Sequence, residues 1–120
     1  MKKLVLVAVA AALLVAGPAF GASWHVVKSK SISGQFSATA FSASVRHPLA
    51  MKLRLSGAIS SGNVAVSCSR GFTISSYGHS YSQPGTYKLA VRPRRAGSCQ
   101  VVVSFGVSGG SGRATLYVYR

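Results

Sequence analysis

The chain contains no aspartate and no glutamate in its 120 residues, although it carries 14 Lys and Arg. Carboxylates are needed for the usual pair of glycosidase acids, for the acid of a Ser-His-Asp triad, and for calcium or two-metal sites. No H-E-x-x-H zinc motif and no phosphate-cradling glycine loop is present either. We therefore expect a protein that is not an enzyme and that holds no cofactor.

Long apolar runs are also absent, apart from one at the N-terminus. Lys2 and Lys3 precede twelve apolar residues at 4–15, and Gly17-Pro18 ends the run. Spanning a bilayer takes about 20 apolar residues, so this pattern predicts a secretory signal peptide, as in exported bacterial proteins. We place cleavage after Gly21, which divides the chain into a signal peptide (1–21) and a secreted domain (22–120). No cysteine follows the run, so no lipid anchor is expected.

Cysteine is scarce, with Cys68 and Cys99 as the only two in the chain. In an exported protein such a pair predicts one disulfide. The two residues are 31 positions apart, and closing a loop of that length contributes about 3–4 kcal/mol in the chain-entropy model. A domain of 99 residues buries only a modest core, so we expect the bridge to matter for its stability.

Alternation of apolar and polar residues dominates after residue 22, and no stretch shows a helical period. Residues 49–55, 63–70, 86–92, 99–105 and 113–120 alternate most clearly, 24–32 and 35–45 are weaker strand candidates, and 72–75 is a candidate for a short extra strand. The side chains predicted to point inward are Leu49, Met51, Leu53, Leu55, Val64, Val66, Cys68, Tyr87, Leu89, Val91, Cys99, Val101, Val103, Phe105, Ala114, Leu116 and Val118.

Turn signals separate these runs, among them Ser33-Gly34, His47-Pro48, Ser60 to Asn63, Gln83 to Gly85 and Gly109 to Gly112. Seven or eight short strands at about ten-residue spacing are typical of an antiparallel β-sandwich. The sequence therefore predicts a small all-β domain with one disulfide. An immunoglobulin-like and a jelly-roll-like topology both remain open.

The cations have no acidic side chain to balance them. Two of the fourteen lie in the predicted signal peptide, which leaves twelve in residues 22–120. Such charges repel one another and attract polyanions. We therefore expect an anionic cell-wall polymer, an acidic glycan or an anionic lipid surface as the partner. Non-specific binding of nucleic acid at low salt follows from the same charge.

The densest charge is the run Arg92-Pro93-Arg94-Arg95 after a predicted strand. Pro93 cannot continue strand pairing, so the three guanidinium groups are expected to spread into a loop. Arginine binds phosphate and sulfate in a bidentate way. Arg70 lies just after Cys68, and the disulfide is expected to bring it to the same end. The sequence predicts an anion-binding loop of Arg92, Arg94 and Arg95 with Arg70 beside it, the alternative being a solvated turn.

Aromatic residues suggest a second site. Tyr77, His79 and Tyr81 are interpreted as a flexible loop whose rings stack on a glycan, or else cap the edge of the sandwich. Tyr117 and Tyr119 occupy the outward positions of the last strand.

The three histidines, His25, His47 and His79, share no ligand spacing, and no metal site is expected. Cleavage after Ala22 instead of Gly21 would create a Ser23-Trp24-His25 start that suits Cu(II) or Ni(II).

These observations support two functions. The first is a secreted, non-catalytic domain that binds an anionic envelope polymer, glycan or membrane surface through the arginine-rich loop. The second is a structural or interaction module of a secreted or cell-surface assembly. That module would use sheet edges and the terminal strand with Tyr117 and Tyr119, and its charge would serve only solubility.

Overall fold

The computed structural model describes residues 22–91 and 97–120, so the predicted signal peptide and Arg92, Arg94 and Arg95 lie outside the described residues. Within these ranges the chain is all-β and antiparallel. No helix there is long and apolar enough to span a membrane. The six strands are β1 (Trp24–Ser33), β2 (Ser37–Arg46), β3 (Ala50–Arg70), β4 (Thr73–Tyr81), β5 (Gly85–Leu89) and β6 (Ser98–Tyr119).

Two long strands, β3 and β6, each contribute to two sheets. Sheet I has the order β1, residues 111–119 of β6, residues 50–57 of β3, and β5. Sheet II has the order β2, residues 98–107 of β6, residues 59–70 of β3, and β4. The six strands therefore form eight strand segments in two four-stranded sheets. The predicted β-sandwich of seven or eight strands is confirmed.

The corners lie where β3 and β6 pass from one sheet to the other. The predicted turns around Gly62 and at 109–112 are bends inside continuous strands, because glycine permits a sharp bend without ending the pairing. Gly57 has a φ of 84° and Gly110 a φ of 96°, a backbone region that favours glycine. A Cβ on Gly57 would also collide with the Ser111 carbonyl oxygen. Register shifts in β3 at this point are β-bulges, which bend a strand and increase its twist.

Chain order through the two sheets decides the topology. Followed along the chain, the eight segments belong to sheets I, II, I, II, II, I, II and I, and the first and last segments are neighbours in sheet I. This is the arrangement of a jelly roll, whose two four-stranded sheets pack face to face. Of the two topologies left open by the sequence, the jelly roll is the one observed.

Inward side chains from both sheets form one hydrophobic cluster. Most of the residues predicted to point inward are buried, because alternation along a strand directly reports which face meets the core. Leu49 is the exception: it precedes β3, is 61% exposed, and only its backbone amide joins the sheet, by donating to the Tyr119 carbonyl oxygen (2.8 Å). Tyr87 and Val91 are partly buried against the cluster.

The disulfide joins Cys68 and Cys99, as predicted. The two residues are directly opposite each other on adjacent strands of sheet II, with their Cα atoms 4.0 Å apart. Both side chains are buried in the core, at 1% and 2% exposure. The bridge therefore links two neighbouring strands within one sheet and does not connect the two sheets.

Removing the bridge with Cys68→Ala and Cys99→Ala is expected to lower the free energy of unfolding by about 3–4 kcal/mol, because the unfolded chain regains the freedom of the closed loop. Urea unfolding followed by circular dichroism measures this change. The control is Ser69→Ala with Ser98→Ala, which removes the adjacent cross-strand hydroxyl contact (Oγ to Oγ 3.3 Å) and is expected to cost under about 1 kcal/mol. Equal losses in the two double variants would contradict the prediction.

Candidate anion-binding face

Cations collect on the outward face of sheet I, which we call the basic face. Its charged side chains stand at outward positions of β3, β5 and β6, where alternation directs every second residue away from the core. The four charged residues of the basic face are Lys52, Arg54, Lys88 and Arg113.

Three of these cations are immediate neighbours. Lys52 and Lys88 are directly opposite each other on adjacent strands, and Arg54 follows Lys52 by two positions. Directly opposite residues have Cβ atoms about 4.5–5.5 Å apart, and residues two apart along a strand are separated by about 7 Å. Like charges placed directly opposite destabilise a sheet. The basic face therefore holds a triangle of positive charge at a cost in stability.

Aromatic rings hold the Lys52 side chain in position. Its Nζ atom lies 4.2 Å from the centroid of the Trp24 ring and 5.1 Å from that of Tyr117. The Trp24 ring also packs against Tyr119, with centroids 5.1 Å apart. An ammonium over an aromatic face is attracted by the ring quadrupole, by about 0.5–1 kcal/mol at exposed sites. The rings thus position the Lys52 ammonium in a chain that has no acidic side chain to do so.

Hydroxyl groups complete the basic face beside the cations. Arg113 Nε donates a hydrogen bond to Ser31 Oγ (2.9 Å). Thr115, which is only 8% exposed, shares a hydrogen bond with Ser29 between their hydroxyl oxygens (3.1 Å). These bonds join β1 to β6, so the polar groups of the basic face come from strands that are far apart in sequence.

The outward face of sheet II differs sharply from the basic face. It carries uncharged side chains, most of them small, with Arg46 at the end of β2 as its cation among the described strand residues. A shallow depression of about 420 Å³ opens over Gly78 and Ala65 on this face, bordered by Gln100 and Val102. The charge of the domain is therefore unevenly distributed between its two outer surfaces.

The predicted arginine-rich loop is described only in part. Arg70 ends β3, where Ser69 pairs with Ser98 and Gly97 donates a backbone hydrogen bond to the Ser69 carbonyl oxygen (2.7 Å). Arg70 is thus close to the point at which the chain emerges from the segment containing Arg92, Arg94 and Arg95. Those three residues lie outside the described ranges, and their role stays a prediction.

The interpretation of Tyr77, His79 and Tyr81 as a flexible loop is wrong. The three residues belong to strand β4, where their spacing of two places them on one side of the strand. Their centroids follow one another at 5.4 and 6.3 Å, and the Tyr81 ring stacks on Tyr87 of β5 at 4.0 Å. Tyr77 donates a hydrogen bond from its hydroxyl to the Ala90 carbonyl oxygen (2.5 Å). This row closes the side of the sandwich between β4 and β5, which is the capping alternative.

The role suggested for the last strand in assembly also changes. Tyr117 and Tyr119 lie on β6 between β1 and β3, so the terminal strand is central and offers no free edge for assembly.

The five residues 106–110 spell G-x-S-x-G, a spacing associated with hydrolase nucleophiles. Here they lie in the bend of β6 rather than in a strand-to-helix turn, and the chain has no acid to complete a triad.

Sequence reasoning missed the contact of Lys52 with Trp24 and Tyr117. The outward positions of Lys52, Arg54 and Lys88 could be read from alternation. That Tyr117 stands opposite Lys52 follows only from the pairing of β3 with β6, and local pattern does not reveal which strands are neighbours.

Alkaline pH is expected to destabilise the domain through Tyr81. Burial raises the pKa of this phenol above its ordinary value of 10.0, and the neighbouring Tyr87 raises it further. The folded state therefore holds the proton more tightly than the unfolded state, so its stabilising contribution is lost as the pH rises above about 10. Tyr81→Phe should flatten the decline of unfolding free energy measured from about pH 9 upward. Tyr117→Phe is the control and should retain the decline; identical profiles for Tyr81→Phe and the native protein would contradict this.

No protein-family model matches the chain, and no curated protein matches it. Solved structures with some likeness include a carbohydrate-binding module in complex with β-1,4-galactotriose (TM-score 0.47, 12% identity, covering 81% of this chain and 88% of that one). Another is the C-terminal domain of a structural protein from Sulfolobus turreted icosahedral virus (TM-score 0.46, 14% identity, 80% and 98% covered). A third is a periplasmic inhibitor of g-type lysozyme from Aeromonas hydrophila (TM-score 0.43, 9% identity, 83% and 87% covered). At such values the function of this chain has to be inferred from its own side chains.

Proposed function

We propose that the protein is a secreted, non-catalytic domain that binds an anionic glycan or envelope polymer through the basic face. The observation that carries the proposal is the triangle of Lys52, Arg54 and Lys88, in which the Lys52 ammonium is held over two aromatic rings. No acidic side chain of the chain can supply the counter-charge for this triangle, which favours a binding partner of opposite sign.

Electrostatics favours a ligand with several anionic groups. The opposed lysines repel each other in the free protein, and an anion seated between them removes that repulsion while adding attraction. Arg54 adds a planar donor group that matches carboxylate, sulfate or phosphate in a bidentate way. A polymer that repeats such groups can contact all three cations at the same time, whereas a single small anion contacts fewer of them.

The shape of the basic face favours an extended ligand. Small-molecule sites are concave and enclosed, whereas this face is the outer surface of a four-stranded sheet. Trp24 stands at one end of it and is 40% exposed. An indole ring of this kind offers apolar contact to the carbon atoms of a sugar ring. Sugar units that carry acidic groups therefore fit the combination of ring and cations better than a purely ionic polymer does.

Two triple variants that remove the same charge test the site. Lys52→Thr, Arg54→Thr and Lys88→Thr together neutralise the triangle, whereas Arg92→Ser, Arg94→Ser and Arg95→Ser neutralise the arginine-rich run. Each variant of residues 22–120, which include every described strand, is passed over an acidic polysaccharide, a teichoic-type polymer, anionic liposomes, DNA and a neutral polysaccharide. We expect the native protein to be retained selectively on a sugar-bearing acidic polymer above about 0.15 M salt, where long-range attraction is largely screened. The triangle variant should lose that retention.

The comparison of the two triple variants separates three outcomes. Loss confined to the triangle variant supports the basic face. Loss confined to the arginine-run variant moves the site to Arg92, Arg94 and Arg95 and overturns the proposal for this face. Equal loss in both, at low salt and on every acidic polymer, means that the charge acts generically and that no shaped site exists.

Trp24→Ala tests whether sugar contact contributes. Because the indole carries no charge, we expect weaker retention on the acidic polysaccharide, about tenfold in the dissociation constant, for a loss of about 1–2 kcal/mol in ring contact and cation–π energy. Retention on DNA at low salt, where phosphate contacts dominate, should change much less. The control is Phe36→Ala, which removes an exposed ring from the turn between β1 and β2. The same weakening in both variants would argue against a sugar-stacking role for Trp24.

A further inference from the structure

Within residues 22–91 and 97–120, edge strand β4 lacks the protection that the other edge strands have. Lys28 and Lys30 of β1 reach across to β2, with their Nζ atoms 3.3 Å from the carbonyl oxygens of Ser42 and Ala40. Charged side chains at an edge discourage pairing with another chain. β5 is only five residues long and carries Lys88. β4 is nine residues long, contains no Lys, Arg or Pro, and pairs with no described strand except β3.

The outward side of β4 carries both a projection and a depression. Ile74 pairs with Ser69 on the outward face of sheet II and is 70% exposed, and the neighbouring Phe72 is fully exposed. Four residues after Ile74, Gly78 has no side chain, and the depression of about 420 Å³ opens over it. A surface that joins two identical copies about a two-fold axis has to be complementary to itself. Ile74 and Gly78 meet this requirement, because one protrudes where the other recedes.

We propose that β4 pairs antiparallel with β4 of a second copy of this chain, with Ser76 opposite the partner's Ser76. In this register Ile74 stands opposite the partner's Gly78, and residues 73–79 form the shared ladder. The two sheets II then continue as one eight-stranded sheet. Main-chain hydrogen bonds provide the affinity, as in other cases of strand addition, and the fit of Ile74 against Gly78 selects the register.

The charge distribution permits this contact and opposes others. Each copy carries twelve cations in residues 22–120, so contact through the basic face would bring like charges together. The outward face of sheet II is nearly free of charge beside β4. Arg70 pairs with Thr73 at one end of the ladder. In the antiparallel pair the two Arg70 residues lie at opposite ends, about 20 Å apart, which is well beyond the screening length of about 8 Å in physiological salt.

The two-fold axis of an antiparallel strand pair is perpendicular to the sheet. The outward faces of sheet I in the two copies therefore point in the same direction, and the two basic faces lie side by side. If the basic face binds a polymer as proposed above, the dimer engages it at two points, and the second contact forms at high effective concentration. The dimer itself does not depend on that binding, so its test needs no ligand.

The test is the mass of residues 22–120 measured by light scattering over a range of concentrations, at about 0.15 M salt and above. We expect a mass that approaches twice that of the monomer. Gly78→Lys adds a charge and fills the depression, and the domain should still fold, because a Cβ at this position has its closest neighbour, the Val64 carbonyl oxygen, at 3.4 Å. This variant should be monomeric. Ser42→Lys, the same kind of change on the outward face of edge strand β2, is the control and should leave the dimer intact.

The register is tested separately by treating a Ser76→Cys variant with a short bifunctional thiol reagent. Directly opposite residues have Cβ atoms about 4.5–5.5 Å apart, beyond the usual separation of about 3.5–4.5 Å in a disulfide, so such a reagent should link the new cysteines of the two copies. Ser42→Cys on β2 should not link them. A native protein that stays monomeric at millimolar concentration overturns the proposal. A dimer that survives Gly78→Lys and is not linked through residue 76 overturns it as well, because the contact then lies elsewhere.

Discussion

The rest of the structure depends on one constraint, the complete absence of acidic side chains. Four described cations contact a dipole or a ring in place of a carboxylate. Lys28 and Lys30 each contact a backbone carbonyl, Lys52 lies over two aromatic rings, and Arg113 donates to a serine hydroxyl. Such contacts place a charge without neutralising it. The stability of the domain therefore comes from its apolar core, its strand ladders and its disulfide. The positive charge stays available to bind a partner of opposite sign.

The cations are distributed unevenly over the domain, so its outer surfaces differ in charge. Cations and aromatic rings share the outward face of sheet I. Lys28 and Lys30 of β1 close the side between β1 and β2, and neutral, mostly small residues cover the outward face of sheet II. The division arises from alternation, because neighbouring strands that carry basic residues at outward positions produce a continuous basic surface. A polymer-binding face and a neutral edge for self-association can thus coexist in a domain whose net charge would otherwise drive copies apart.

The sequence predicted the core and the disulfide because both follow from local alternation: Val64, Val66 and Cys68 point the same way wherever their strand is placed. It did not reveal that β3 and β6 are continuous, since a glycine cluster looks the same at a loop and at a bend in a paired strand. Only the start of β4 was predicted, as a short strand at 72–75; the rest was taken for a loop because Gly78 and its neighbouring serines have weak strand propensity, which pairing with β3 overrides. The contact of Lys52 with Trp24 and Tyr117 depends on which strands are neighbours, which no local pattern contains.

The two strands that run through both sheets also determine how the domain comes apart. Opening of one sheet exposes the apolar face of the other, because both sheets share β3 and β6 and pack into one hydrophobic cluster. We therefore expect opening short of complete unfolding to be confined to the four outer strands. Amide protons at the centres of both sheets should therefore exchange with solvent only through the same global event, and those of β4 and β5 sooner. We expect the jelly roll to unfold as a single cooperative unit despite having two sheets.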